Sequence, residues 1–177
     1  MNELQQKKYA RLFSILDRDK DGAVERSDYE AIARQVAKLR GVEDGSPEQA
    51  QIASRMSAYW DSLAKRADKD ANGRVTLAEW SQSMSGGSDS MAQTRSQMVA
   101  LAAAMLDRDG DGKITQADYQ KLLEMVGHKQ ADGEKFFERL DENGDGKIDV
   151  EELGALVDQF LFSGDPTAAG NWLLGPL

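Results

Sequence analysis

Apolar residues recur along the chain at the spacing of amphipathic α-helices, and polar, glycine-containing stretches separate these segments. Residues three or four positions apart share one face of a helix. Before the first acidic stretch, one such face is formed by Tyr9, Leu12, Phe13 and Leu16. The same spacing is found on both sides of each of four acidic stretches. The pattern therefore predicts an all-α protein with eight helices.

Two breaks in this pattern divide the chain. GVEDGSPEQ (41–49) interrupts the first half, where Ser46 is predicted to cap a helix whose first residue is Pro47. SGGSDS (85–90) has the composition of a turn and no apolar anchor, which predicts a linker. We therefore expect four parts: an N-terminal domain at 1–84, a linker at 85–90, a C-terminal domain at 91–162 and a tail at 163–177 that packs in an apolar cleft.

The four acidic stretches align with one another without gaps. Each begins with Asp, has Asp or Asn at positions three and five, Gly at six, Val or Ile at eight and a carboxylate at twelve. This pattern is that of the EF-hand calcium loop, in which a bound ion accounts for every fixed position. In chain order, loops one to four are DRDKDGAVERSD (17–28), DKDANGRVTLAE (68–79), DRDGDGKITQAD (107–118) and DENGDGKIDVEE (141–152).

Six positions of such a loop supply oxygen ligands. Side chains at positions one, three and five converge on the ion, position seven gives its backbone carbonyl, position nine often acts through water, and position twelve closes the shell. The predicted metal ligands are Asp17, Asp19, Asp21, Ala23, Glu25 and Asp28; Asp68, Asp70, Asn72, Arg74, Thr76 and Glu79; Asp107, Asp109, Asp111, Lys113, Thr115 and Asp118; and Asp141, Asn143, Asp145, Lys147, Asp149 and Glu152.

The aliphatic residues at position eight are expected to pair between neighbouring loops as short antiparallel β bridges. Loops one and two then form one lobe, and loops three and four form the other. Surface turns also use Asp, Asn and Gly, but four copies in register between helical segments disfavour that interpretation. Calcium-binding β-helix repeats contain Gly-Asp loops too, yet their repeats are much shorter and lack amphipathic helical flanks.

The composition of the chain restricts the partners and the kinds of site that can be expected. The chain has 177 residues and a net charge of −9, and 16 of its 31 acidic residues occupy predicted ligand positions. Four divalent ions would bring the net charge to about −1. The acidic balance argues against nucleic acid as a partner. With no cysteine, a single histidine and no nucleophile–base pair, we expect neither zinc sites nor an enzyme.

The chain also lacks the sequence marks of a membrane or secreted protein. No apolar run approaches the roughly 18–20 residues of a membrane helix. The start, MNELQQKKYARLF, is polar and charged. We expect a monomeric, cytoplasmic protein without membrane insertion.

The last ligand differs between the loops. Loops one and three end in Asp28 and Asp118, whereas loops two and four end in Glu79 and Glu152. Glutamate can reach the ion with both oxygens, while the shorter aspartate tends to offer one. Six oxygens suit Mg²⁺, which binds at about 2.0–2.1 Å against about 2.3–2.6 Å for Ca²⁺. Loops one and three are thus expected to accept Mg²⁺ as well as Ca²⁺, unless they simply contract around calcium.

The end of the chain, FLFSGDPTAAGNWLLGPL (160–177), carries an acidic-proline turn, then Gly-Asn-Trp and an apolar terminus. With four hands and an extended first pair, it resembles the family of calerythrin and the sarcoplasmic calcium-binding proteins. The resemblance implies a compact helical molecule that buffers or carries calcium. Members commonly have a degenerate hand, whereas all four loops here have a full ligand set, weakest in loop two and strongest in loop four. The matching tail residues are Asp165, Pro166, Gly170, Asn171, Trp172, Leu173 and Leu174.

Two functions are compatible with these features. A cytosolic calcium buffer or transporter would open little on binding ions, and a tail that fills its own cleft favours this function. A calmodulin-like sensor would expose a Met-lined groove and bind an amphipathic target helix. Met91, Met98 and Met105 recur every seven residues and belong either to such a groove or to the core.

Overall fold

The computed structural model describes residues 2–84, 88–107, 109–125 and 133–175, and within them lie eight α-helices and four short strands. The first half contains α1 (Glu3–Leu16), β1 (Ala23–Val24), α2 (Arg26–Leu39), α3 (Pro47–Ala67), β2 (Val75–Thr76) and α4 (Leu77–Ser83). The second half contains α5 (Ser88–Leu106), β3 (Lys113–Thr115), α6 (Gln116–Met125), α7 (Gly133–Leu140), β4 (Lys147–Asp149), α8 (Val150–Phe162) and a 3₁₀ helix (Ala169–Trp172). The predicted all-α class is confirmed.

The strands join the loops in pairs, as their aliphatic eighth positions predict. β1 pairs antiparallel with β2, so that Val24 lies opposite Val75. β3 pairs in the same way with β4, and Ile114 lies opposite Ile148. All four side chains are buried. The pairing of loop one with loop two, and of loop three with loop four, is therefore confirmed.

The chain forms two compact units that differ from the expected division. The N-terminal unit is Leu12–Met91, and the C-terminal unit combines Met1–Arg11 with Ala92–Leu177. The first eleven residues were expected in the N-terminal domain. They group with the C-terminal unit because polar side chains of α1 bind backbone carbonyls at the end of α8.

The predicted helix boundaries agree with the structure at one break and differ at the other. The N–H of Gln49 donates to the Ser46 hydroxyl at 3.2 Å, so Ser46 is the N-cap of α3 as predicted. This helix runs for 21 residues, which accounts for the wider spacing of the first two loops. In the expected linker, residues 85–87 lie outside the described residues, and α5 already begins at Ser88.

Aromatic pairs mark the core of the N-terminal unit. The rings of Phe13 and Trp80 meet edge to face, with centroids 6.4 Å apart. Tyr29 and Trp60 pack at 6.2 Å. These contacts join the helix that enters loop one to α4, and the helix that leaves loop one to α3. The two helix–loop–helix units therefore share one hydrophobic core, which fixes the positions of both loops.

The C-terminal unit has an equivalent core formed by α6, α7 and α8. Tyr119 and Phe137 pack with ring centroids 6.1 Å apart, and Phe160 is fully buried. Met98 and Met105 on α5 are half-buried, and the side chain of Met91 lies outside the described residues. No helix in the described part of the chain is long and apolar enough to cross a membrane.

Candidate metal centres

One hydrogen bond recurs in all four loops and holds the carboxylate at position one. The backbone N–H of the glycine at position six donates to this carboxylate, at 3.1, 2.9, 3.1 and 2.8 Å in loops one to four. The glycine turns the chain back beneath its own first residue. The pairs are Gly22 and Asp17, Gly73 and Asp68, Gly112 and Asp107, and Gly146 and Asp141.

The side chains at positions three and five are held by similar bonds. The N–H at position seven donates to the side-chain oxygen at position five, at 2.9, 2.7, 2.8 and 3.0 Å in loops one to four. The N–H at position five donates in turn to the oxygen at position three, at 3.2, 3.3, 3.3 and 2.8 Å. These Asx-type bonds let the backbone of each loop hold its predicted ligand side chains, which reduces the ordering entropy that opposes ion binding.

Position four also has a fixed conformation, which the sequence pattern did not reveal. It is left-handed in every loop, with φ of 61° at Lys20, 55° at Ala71, 78° at Gly110 and 72° at Gly144. Only the last two are glycines, which adopt this conformation without steric cost. Loops one and two therefore contain a strained residue where loops three and four do not.

Position twelve is tied to position nine because each exiting helix begins at position ten. Position nine is the N-cap, and its N–H donates to the carboxylate of position twelve at 2.7, 2.9, 3.0 and 3.2 Å in loops one to four. This is half of a capping box, a local device that starts helices. The residue predicted as the last ligand is therefore also part of the start of the helix. The pairs are Glu25 and Asp28, Thr76 and Glu79, Thr115 and Asp118, and Asp149 and Glu152.

The last ligands of loops one and four have different surroundings. In loop one, Asp28 is 3% exposed. Both of its oxygens accept backbone bonds, from Arg18 at 2.8 Å and from Glu25 at 2.7 Å. In loop four, Glu152 Oε1 is buried and has no hydrogen-bond partner among the described residues. In loop two both oxygens of Glu79 accept backbone bonds, from Lys69 at 3.3 Å and from Thr76 at 2.9 Å, so the unpartnered oxygen is a feature of loop four and not of both glutamate-ended loops.

The donor sets fit a hard divalent cation. Three loops each bring three carboxylates together, with ligand oxygens within 4.8 Å of one another: Asp17, Asp19 and Asp21; Asp68, Asp70 and Glu79; and Asp107, Asp109 and Asp111. Among the described residues, the carboxylates of loop four, the predicted strongest site, form no group this tight, and its position three is an amide.

Two buried oxygens add a second argument for a cation. Asp17 Oδ1 in loop one and Glu152 Oε1 in loop four are buried and have no partner among the described residues. A buried carboxylate oxygen without a partner is costly, and a bound cation would satisfy it. All-oxygen ligands of this kind are those that Ca²⁺ and Mg²⁺ prefer.

Hydrogen bonds favour the ionised form of two carboxylates in the loops, those of Asp21 and Glu79. The N–H of Ala23, followed by the Arg74 guanidinium, lowers the pKa of the Asp21 carboxyl. The N–H and hydroxyl of Thr76 lower the pKa of Glu79. The side chain of Arg74, which contacts loop one, was not anticipated, because position seven was expected to contribute only its carbonyl.

Comparison with known proteins agrees with this geometry. An EF-hand domain pair family matches residues 104–157, and an EF-hand family matches residues 10–33. Calerythrin from Saccharopolyspora erythraea is 27% identical over 155 residues, which are 85% of this chain and 88% of calerythrin. The chain therefore resembles calerythrin over most of its length, and the EF-hand matches fall in both halves of the chain.

Two solved structures share this EF-hand fold. The sarcoplasmic calcium-binding protein from amphioxus has a TM-score of 0.82 and 20% identity, with 100% of this chain and 99% of that chain covered. A calcium-binding protein from Streptomyces coelicolor has a TM-score of 0.71 and 27% identity, with 89% and 97% covered. Both are described as calcium-binding proteins, and the EF-hand matches in both halves of this chain support calcium binding here as well.

Proposed function

We propose that this EF-hand protein is a cytosolic calcium buffer or transporter, with Ca²⁺ in all four loops and loops one and three able to accept Mg²⁺. The observation that carries the proposal is the packing of the C-terminal tail against the apolar surface of its own unit. In a sensor that surface would be the groove for a target helix. A tail that covers it favours ion uptake without a protein target.

The tail lies close against α8 along its backbone. A Cβ on Gly170 would come within 2.3 Å of the Leu156 carbonyl oxygen, so only glycine fits there. The N–H of Gly170 donates to the Gln159 side chain at 2.7 Å. Leu173, three residues later, is 3% exposed. These contacts support a tail that is part of the folded unit rather than a free arm.

Side chains of α6 and α7 hold the tail from the other side. The Tyr119 hydroxyl donates to the Trp172 carbonyl at 2.6 Å. The Trp172 ring packs on Phe136 at 5.1 Å between centroids, and the Arg139 guanidinium lies 4.4 Å from its centroid. Aromatic and cation–π contacts of this kind add to the stabilisation from burial alone. Opening this surface to a partner would require breaking all of them.

The Mg²⁺ part of the proposal rests on Asp28. Asp28 and Glu79 both accept two backbone N–H bonds, but the Asp28 side chain is one methylene shorter and reaches less far towards an ion with both oxygens. Fewer protein oxygens in the shell favour the six-coordinate geometry of Mg²⁺ over the larger shell of Ca²⁺. Loop three has the same short last ligand, and Asp118 accepts bonds from the N–H and hydroxyl of Thr115.

A sensor is the second candidate function. The Streptomyces coelicolor relative is described in terms of prokaryotic calcium-mediated regulation. In this chain, Leu77 and Val150 begin α4 and α8 and are 40% and 55% exposed. Exposed apolar residues at the same position of two exiting helices favour a surface that changes when the loops bind calcium.

Binding of an apolar fluorescent dye to the metal-free, Mg²⁺-loaded and Ca²⁺-loaded protein distinguishes the two functions. A buffer is expected to bind little dye with either ion, because the tail covers the apolar surface in both forms. A rise in fluorescence with Ca²⁺ over the Mg²⁺ form would contradict the buffer and support the sensor. Leu173→Asp is the positive control, since a displaced tail should increase dye binding in every form.

A further inference from the structure

We propose that Arg74 of loop two is an internal competitor for the metal ion of loop one. The inference rests on the proposed binding of a metal ion by loop one. Arg74 Nη2 lies 2.7 Å from Asp21 Oδ2, and Nη1 lies 2.5 Å from Glu25 Oε1. Asp21 and Glu25 are the ligands at positions five and nine of loop one, and the guanidinium also interacts electrostatically with Asp19 at position three.

Both oxygens of Asp21 are occupied by this arrangement. The N–H of Ala23 donates to Oδ1 at 2.9 Å, and Arg74 takes Oδ2. An ion that binds Asp21 must therefore share or displace one of these donors. The N–H belongs to the fold of the loop, so the guanidinium is the group that leaves.

The strand register places Arg74 at loop one. Ala23 lies opposite Thr76, and Val24 lies opposite Val75. The next pair in an antiparallel ladder is Glu25 and Arg74, which puts an acid and a base side by side. At position seven only the backbone carbonyl of Arg74 is needed by loop two. One residue can thus contribute its carbonyl to one site and its side chain to the other.

The C-terminal pair of loops provides an internal comparison. Lys147 holds position seven of loop four, and its ladder partner is Thr115 at position nine of loop three. Here the partner is a hydroxyl rather than a carboxylate, and no ion pair joins Lys147 to a carboxylate in the part of the chain that the structure describes. The two basic residues occupy equivalent positions, but only Arg74 binds ligands of its neighbour.

The consequence is that loop one, the most acidic loop, has a lower affinity for its metal ion. Loop one has five carboxylates at its ligand positions, and their repulsion is partly neutralised by Arg74 before any ion arrives. The entering ion replaces the positive charge of the guanidinium. Its electrostatic attraction to the carboxylates therefore brings a smaller net gain than in a loop without a neighbouring cation. Arg74 thereby delays the filling of loop one relative to a loop without such a contact.

Arg74→Gln, with Lys147→Gln as the matched control, tests this assignment in the full chain. Calcium is titrated while the amide resonances of Gly22 and Gly112, which report on loops one and three, are followed by NMR. We expect Arg74→Gln to lower the calcium concentration at the midpoint of the Gly22 titration about fivefold, a change that corresponds to the loss of one exposed ion pair. Lys147→Gln should shift the midpoint at Gly112 by less than about twofold.

The results distinguish failure of the proposed metal binding from failure of the proposed role of Arg74. If Gly22 does not respond to calcium in the unaltered protein, metal binding by loop one is wrong. If Gly22 responds with the same midpoint in the unaltered and Arg74→Gln proteins, the competitor assignment is wrong. A readout that needs no variant is the Arg74 Nε–H resonance of the unaltered protein. It should shift together with Gly22, and an Nε–H signal that stays constant while Gly22 moves would also overturn the proposal.

Discussion

The left-handed residue at position four affects the stability of each loop through its backbone alone. Lys20 and Ala71 adopt this conformation with φ of 61° and 55°, whereas Gly110 and Gly144 occupy the same place in the C-terminal loops. For a residue with a Cβ this conformation costs about 1–2 kcal/mol. Replacing such a residue by glycine recovers only part of that cost, because glycine loses more conformational entropy on folding.

We predict that Ala71→Gly raises the free energy of unfolding of the metal-free protein by about 0.5–1 kcal/mol, since strain is removed. Gly144→Ala should lower it by a similar amount. A Cβ at Gly144 would meet no atom within 4 Å, so its effect is conformational and not steric. Urea unfolding of both variants provides the measurement, and destabilisation by Ala71→Gly would contradict the argument.

The last ligand allows a second test on single residues. Asp118→Glu is predicted to increase the preference of loop three for Ca²⁺ over Mg²⁺, because the longer side chain can offer both oxygens. Glu79→Asp is the matched opposite change and should weaken that preference in loop two. Calcium titrations with and without excess Mg²⁺ measure both effects. An unchanged preference in both variants would favour the alternative that the short loops contract around calcium.

Among the helices, the end of α8 depends on side chains from α1. Lys8 is fully buried, and its ammonium donates to the carbonyls of Gln159 and Ser163 at 3.1 and 3.0 Å. The Tyr9 hydroxyl donates to the carbonyl of Leu161 at 2.9 Å. The last carbonyls of a helix have no partner within it and carry partial negative charge, so a cation there is favourable. Burial nevertheless lowers the pKa of Lys8.

Lys8→Met should lower the free energy of unfolding by about 1–3 kcal/mol, because the Ser163 carbonyl loses the ammonium donor and the Gln159 carbonyl keeps only the N–H of Ser163. Lys7→Met is the matched control: the side chain of Lys7 is 62% exposed and pairs with Glu3 in the same helix. We expect its effect to stay within about 0.5 kcal/mol. Equal effects of the two substitutions in thermal unfolding would show that the α1–α8 contact contributes little.

At the scale of the whole molecule, the tyrosines determine the response to alkaline pH. Burial raises the pKa of all four, Tyr9, Tyr29, Tyr59 and Tyr119, above the ordinary value of about 10. A group whose pKa is raised on folding stabilises the fold fully below the unfolded pKa and loses this contribution as pH rises through the folded pKa.

The stability of the metal-free protein should therefore fall as pH rises above about 10, where unfolded tyrosines ionise and folded ones do not. Urea unfolding at a series of pH values measures this directly. Absorbance of tyrosinate followed in parallel should show delayed ionisation of the folded chain. Ordinary titration of all four tyrosines near pH 10 in the folded state would contradict the prediction.

Much of the site could be predicted because its ligands lie close together in sequence. Twelve consecutive residues supply a whole EF-hand shell, so residue type and spacing are enough to predict it. The capping bonds at positions nine and twelve are local as well, and the helices begin at position ten as a result. The pairing of loops followed from one aliphatic residue in each.

The sequence by itself determined the four loops, their candidate ligand residues, the eight helices and the resemblance to calerythrin and the sarcoplasmic calcium-binding proteins. Only the tertiary structure decided that the first eleven residues group with the C-terminal unit, and that Arg74 contacts the ligands of loop one. The first depends on α1 side chains that bind carbonyls about 150 residues away in sequence. The second depends on strand register, which places residues from two loops side by side and is set by the packing of both hands.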